Sequence, residues 1–129
     1  MKVGIVGAGS MGTGIAQVAA MAGNEVLIYD QSEKAVQRSR DNTLKIFNRL
    51  VEKGKFEDVY AKQLFSQYYY VSQLEGLSEC GLIIEAIVEN IDIKRQVFEQ
   101  LESLCKADAI LASNTSSLSV ASIAAACQR

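Results

Sequence analysis

The chain has 129 residues, 49% of them hydrophobic and 22% charged, with a net charge of −2. Those figures suit one domain with a buried core and exclude disorder, collagen and low-complexity repeats. They also leave no basic footprint for nucleic acid or an anionic membrane, and the absence of histidine removes the commonest general acid/base and the commonest metal ligand.

In chain order, Lys2–Val6 reads as a short buried strand ending at Gly7. Met11–Ala22 has helical spacing, with Met11, Ile15, Val18, Ala19 and Ala22 on one face, and Gly23-Asn24 stops it. Because Val3–Gly23 is largely apolar, it resembles a signal peptide or a short membrane span. Its glycines argue otherwise: Gly4, Gly7, Gly9, Gly12 and Gly14 would each cost a helix about 1 kcal/mol relative to alanine. A strand, a glycine turn and a helix fit better, so no targeting segment is expected and the protein is expected to be cytoplasmic. Cys80, Cys105 and Cys127 are odd in number and widely spaced, as expected of reduced thiols rather than a metal site or a redox pair.

Glu25–Tyr29 is a second strand, running into Asp30. Ser32 is the expected N-cap of a helix reaching about Lys53, with Val36, Thr43, Leu44, Phe47, Leu50 and Val51 as its stripe and Gly54 as its end. Phe56–Gln67 forms a second helix through Val59, Tyr60, Gln63 and Leu64, which completes a helical hairpin. Strands are then expected at Tyr68–Val71, Leu82–Ile87 and Ala109–Ala112, with an amphipathic helix at Ile91–Leu104 whose polar positions include Lys94. A polar loop at Ser113–Ser117 and a small-residue helix at Ser119–Cys127 follow. Apolar strands alternating with helices predict an α/β, Rossmann-type doubly wound, mainly parallel sheet, with the hairpin inserted between strands 2 and 3. A strand order of 3-2-1-4-5 would put a ligand crevice outside the carboxyl ends of strands 1 and 4.

Gly7-Ala8-Gly9-Ser10-Met11-Gly12 is a Gly-x-Gly-x-x-Gly between a strand and a helix. In that context Gly7 allows the tight turn, Gly9 lets backbone approach a pyrophosphate, and Gly12 lets the helix lie close to the strand. The N–H groups at the helix start, including those of Ser10 and Met11, would face the phosphates with about half a positive charge behind them. Asp30 stands 18 residues after Gly12, where a carboxylate accepts from an adenosine ribose and repels a 2′-phosphate. Gln31 and Ser32 follow it rather than Arg or Lys, so NAD is expected over NADP.

Glu85, Glu89 and Asn90 after the fourth strand, and Ser113–Ser117 after the fifth, are placed at the same carboxyl edge. Such a cluster supplies donors and acceptors for an amide and an alcohol, although capping of the last helix accounts for one or two of its members. Glu89 and Lys94 fit an ordinary solvated helix start, and Lys53 and Lys55 fit surface charge at the hairpin tip or contacts to a phosphate-bearing substrate tail.

Gly7–Gln17, Ile84-Glu85-Ala86-Ile87-Val88-Glu89-Asn90 and Ala112-Ser113-Asn114-Thr115-Ser116-Ser117-Leu118 together resemble the N-terminal NAD-binding domain of the L-3-hydroxyacyl-CoA dehydrogenases, including 3-hydroxybutyryl-CoA dehydrogenases. The resemblance runs over the whole chain, residues 1–129. It implies oxidation of an (S)-3-hydroxyacyl-CoA to the 3-ketoacyl-CoA, with hydride passed to NAD, in fatty-acid or butanoate metabolism. By position it gives Gly7, Gly9, Ser10, Met11 and Gly12 to the pyrophosphate and Asp30 to the adenosine ribose. Glu89 and Lys94 go to the nicotinamide half, and Asn114 to nicotinamide and substrate. Ser116 goes to the substrate oxygen, and Lys53 to the coenzyme A phosphates. An acyl-CoA substrate, a homodimeric full-length protein and no metal are the further implications.

The family performs its acid/base work with a His–Glu pair, whose His follows this region in a His-Phe-Phe-Asn-Pro stretch, and closes over substrate with a helical C-terminal domain. Neither is in this sequence. The 129 residues are therefore expected to bind NAD but to turn over acyl-CoA negligibly, since losing a general base costs about 10²–10⁴-fold and losing closure costs more. A gulonate dehydrogenase or lambda-crystallin type enzyme and a non-catalytic NAD-sensing module are the alternatives.

Overall fold

The computed structural model describes residues 1–87 and 90–113. Five strands form one parallel sheet: β1 (Lys2–Val6), β2 (Glu25–Tyr29), β3 (Tyr68–Val71), β4 (Leu82–Glu85) and β5 (Ile110–Ser113). Their order is β3-β2-β1-β4-β5. All four pairings are parallel, with Ile5 opposite both Ile28 and Ile84. This is the expected doubly wound Rossmann-type sheet. The chain leaves β1 for one side and returns to its other side at β4, so the strand order reverses between these two carboxyl ends and leaves a crevice there.

Helices α1 (Ser10–Met21), α2 (Glu33–Glu52) and α3 (Asp58–Phe65) pack over one sheet face, on Val3, Ile5, Val26, Ile28 and Tyr68. The other face carries Val6, Ile83 and Leu111 beneath a 3-10 turn (Leu74–Leu77) and helix α4 (Ile91–Leu104). Strand alternation sends successive side chains to opposite faces, so both faces become apolar and both are covered. The 3-10 turn, which buries Leu74 and Leu77, is not among the elements expected from the sequence.

The hairpin stands where it is expected. Ser32 caps α2 by accepting a hydrogen bond from the Ala35 N–H at 3.2 Å, and Gly54 turns the chain at φ 73°. Phe47 then packs within 6.0–6.5 Å, centroid to centroid, of Phe56, Phe65 and Tyr68. Such aromatic pairs contribute about 0.5–1.5 kcal/mol each beyond their buried area, and they fasten the hairpin to β3.

Two helix faces differ from the expected ones. In α1 the buried residues are Gly12, Thr13, Ala16 and Ala20, whereas Met11 and Val18 are 56% and 70% exposed. The helix lies so close to β1 that only small side chains fit between them, and the larger apolar residues turn outward. In α3, Ala61 and Leu64 are buried while Val59 and Tyr60 are exposed. Strand β4 also ends at Glu85, two residues earlier than the apolar run suggests, because Ala86 and Ile87 turn into the crevice. The small-residue helix expected at 119–127 lies outside the described residues.

Candidate dinucleotide site

The mouth of the crevice is built from backbone. Gly7 follows β1 at φ 117°, and its N–H donates to the Tyr29 carbonyl at 2.8 Å. A Cβ there would stand 2.6 Å from the Ala86 carbonyl oxygen, and one on Gly12 would overlap the carbonyl oxygen of Gly7. Both positions therefore exclude a side chain for steric reasons. Gly9 is different, since nothing lies within 4 Å of where its Cβ would be. It is the N-cap of α1 and supplies no side-chain cap, and the first turn carries no acidic residue. The first N–H groups of α1, from Ser10 and Met11 onward, have no intrahelical acceptors. The positive end of the helix dipole is thus left without a capping side chain of its own and opens onto the cleft.

That cleft has a volume of about 420 Å³ and is lined by Val6, Gly7, Gly9, Tyr29, Asp30, Gln31, Ala35, Leu74, Ala86, Ile87, Ile93, Gln96, Val97 and Gln100. Asp30 sits in its wall, half-buried. Its Oδ2 accepts from the Ala8 N–H at 2.9 Å, and its Oδ1 accepts from the Ser32 N–H at 2.8 Å. The carboxylate therefore ties the glycine turn to the start of the hairpin. An ionised carboxylate accepts about four hydrogen bonds, so capacity remains for a ligand hydroxyl. The α4 wall was not anticipated. Its signal was present: Ile93, Gln96, Val97 and Gln100 recur at helical spacing on one side of α4.

Behind the opposite lip, which Ala86 and Ile87 form, charge is buried. Glu85, the last residue of β4, is 0% exposed, and Lys94 in α4 is 1% exposed. Lys94 Nζ lies 3.4 Å from Glu85 Oε1. The Ser113 hydroxyl donates to Oε1 at 2.5 Å, and the Ile87 N–H donates to Oε2 at 2.6 Å. Asn90 caps α4 by accepting from the Asp92 and Ile93 N–H groups. Lys94 is thus not the solvated helix-start residue of the sequence reading; with Phe98 and Leu101 it belongs to the buried side of α4. Glu85 likewise is closed inside the sheet end rather than open to the crevice. Ser113 is the last residue of β5, not the first of a loop.

Lys53 is exposed at the far end of α2, about 30 Å of helix from the cleft. Glu89, Asn114 and Ser116 lie outside the described residues. The glycine turn, Asp30 and a cleft open at Gly9 fit a dinucleotide, since pyrophosphate takes the backbone donors and a ribose takes the carboxylate. Among the described residues no group of His, Cys, Asp and Glu is arranged to hold a metal ion, and no helix is long and apolar enough to cross a membrane.

Comparison with known proteins agrees with this geometry. The sequence profile described as "3-hydroxyacyl-CoA dehydrogenase, NAD binding domain" matches residues 2–129. A Deinococcus radiodurans protein named "Probable 3-hydroxybutyryl-CoA dehydrogenase" is 41% identical over 129 residues, covering 100% of this chain and 46% of its own. The 3-hydroxybutyryl-CoA dehydrogenase of Clostridioides difficile is 39% identical, again over 100% of this chain and 46% of its own. The crystal structure of FadB2 from M. tuberculosis superposes with a TM-score of 0.92 at 38% identity, over 98% of this chain and 45% of that one. The chain spans about half the length of these relatives. It belongs to the family of 3-hydroxyacyl-CoA dehydrogenase NAD-binding domains.

Proposed function

We propose that residues 1–129 are the cofactor-binding domain of an NAD-dependent dehydrogenase that oxidises an (S)-3-hydroxyacyl-CoA to the 3-ketoacyl-CoA. The observation that carries this reading is the uncapped start of α1, open at Gly9 and facing a cleft that also holds the Asp30 carboxylate. NAD, when bound, supplies the acceptor for the hydride. The chain's own residues bind and orient it. The N–H groups at Gly9, Ser10, Met11 and Gly12 face the pyrophosphate, and Gly7 and Gly12 keep that turn free of side chains. Asp30 accepts from the adenosine ribose while its two backbone hydrogen bonds hold it in place. A 2′-phosphate would meet this carboxylate, and among the described residues that line the cleft none is basic, so NAD is favoured over NADP.

Lys94 and Glu89 serve the nicotinamide half in this reading, Asn114 the nicotinamide and substrate, Ser116 the substrate oxygen, and Lys53 the coenzyme A phosphates. These roles rest on the family resemblance. The described residues contribute the buried placement of Lys94 and the exposed placement of Lys53. The general base belongs to the family's His–Glu pair, and these 129 residues contain no histidine. A cytoplasmic location, a helical domain beyond this region and a homodimeric full-length protein complete the proposal. The test is a coupled assay with acetoacetyl-CoA and NADH on purified residues 1–129. Binding of NADH with negligible turnover is expected, and turnover at the rate of a full-length relative would overturn the division of labour.

A further inference from the structure

Glu85, the one charged residue of β4, is fully enclosed, and its carboxylate reaches three separate segments. It accepts from the Ile87 N–H in the turn after β4, accepts from the Ser113 hydroxyl at the end of β5, and pairs with the Lys94 ammonium from α4. Burying two charges is costly, and apolar residues of similar volume are often at least as stable. Stability alone is therefore a poor reason for such a pair. Its geometry offers a better one. The carboxylate fixes Ser113 immediately before Asn114, fixes Ile87 two residues before Glu89, and fixes Lys94 itself. By contrast, the glycine turn and Asp30 hydrogen-bond without Glu85: the Gly7 N–H donates to the Tyr29 carbonyl, and Asp30 accepts from the Ala8 and Ser32 N–H groups.

We propose that Glu85 is a positioning residue for the nicotinamide half of the site: its buried carboxylate sets the placement of Lys94, of Ile87 in the turn after β4 and of Ser113 at the end of β5. This rests on the dehydrogenase reading above. The consequence is selectivity between the two halves of the ligand. Removing the charge at Glu85 disturbs binding of the nicotinamide end and spares the adenosine end.

The experiment compares NADH with ADP-ribose, which lacks the nicotinamide, by calorimetric titration of the wild-type chain and of Glu85→Gln. The expected result is a loss of at least about tenfold in NADH affinity, the scale of one hydrogen bond to a charged group, with ADP-ribose affinity changed less than about twofold. Glu85→Asp, which keeps the charge, is expected to recover part of the loss. Equal losses for both ligands, or no loss for either, would overturn the inference. Should Glu85→Gln fail to fold, Ser113→Ala removes one hydrogen bond to the same carboxylate, and a several-fold loss confined to NADH is then expected. Equal losses or none would again count against it. A wild-type chain that binds neither ligand would overturn the dehydrogenase reading and this inference with it. Wild-type binding of both with an unselective Glu85→Gln would overturn only the inference.

Discussion

The two lips of the crevice are made of different materials. On the β1–β2 side the work is done by backbone: a turn at positive φ at Gly7, a helix start without a side-chain cap at Gly9, and one half-buried carboxylate held by two N–H groups. On the β4–β5 side it is done by side chains behind the lip, with Glu85 and Lys94 paired away from water and the half-buried Ser113 hydroxyl donating to the Glu85 carboxylate. A backbone cradle tolerates few residue types, because a Cβ at Gly7 or Gly12 strikes a carbonyl oxygen, so it leaves a signature in the sequence. A buried ion pair leaves none, because Glu, Lys and Ser are ordinary surface residues whose burial depends on the fold around them.

This contrast gives four tests, in falling order of expected effect. Breaking the buried pair by Glu85→Ala or Lys94→Ala should destabilise the protein by about 3–5 kcal/mol in urea unfolding, because the partner charge is left buried. The double change Glu85→Ala with Lys94→Ala should cost clearly less than the sum of the two single changes, and an additive cost would show that the two groups do not depend on one another. Gly12→Ala should cost about 1–3 kcal/mol or more, since the atom struck is backbone and cannot swing aside. Thermal unfolding checks this, and an unchanged midpoint would mean that Gly12 does not lie against the Gly7 carbonyl. Ser32→Ala should cost about 1 kcal/mol through loss of the α2 cap, read in the same way. The last effect vanishes at neutral pH and appears only in alkaline solution: a pH dependence. Burial pushes the Cys80 thiol up to about 11 from its ordinary 9.0, so the native state keeps a proton that the unfolded chain gives up. Stability from this group is intact below pH 9 and is lost as pH rises towards 11. Cys80→Ser should flatten that segment of the stability profile.

Much of the fold was legible in the sequence. β1, β2, β3 and α4 have the bounds that the apolar runs and caps indicate, and the parallel sheet follows from the alternation of elements. Ser32 and Gly54 mark the hairpin because a cap and a positive-φ turn have local chemical requirements. The exposed face of α1 was not legible. Met11 and Val18 fit a core stripe by spacing, but the closeness of α1 to β1 reserves the interior for Gly12, Ala16 and Ala20. The site divides in the same way. Gly7, Gly9, Gly12 and Asp30 are readable from a motif whose spacing follows from steric contact. The burial of Lys94 depends on Glu85 and Ser113, which are 9 and 19 residues away, and no local pattern announces it.

The central claim is that bare backbone at the start of α1 holds the diphosphate of NAD while Asp30 selects its sugar. Calorimetric titration with NAD and NADP, on the wild-type chain and on Gly9→Val, tests it most directly. The expected result is binding of NAD in clear preference to NADP, abolished when a side chain fills the open space at Gly9 without changing the fold by circular dichroism. Equal affinity for the two dinucleotides, or a Gly9→Val variant that binds NAD as the wild type does, would contradict it.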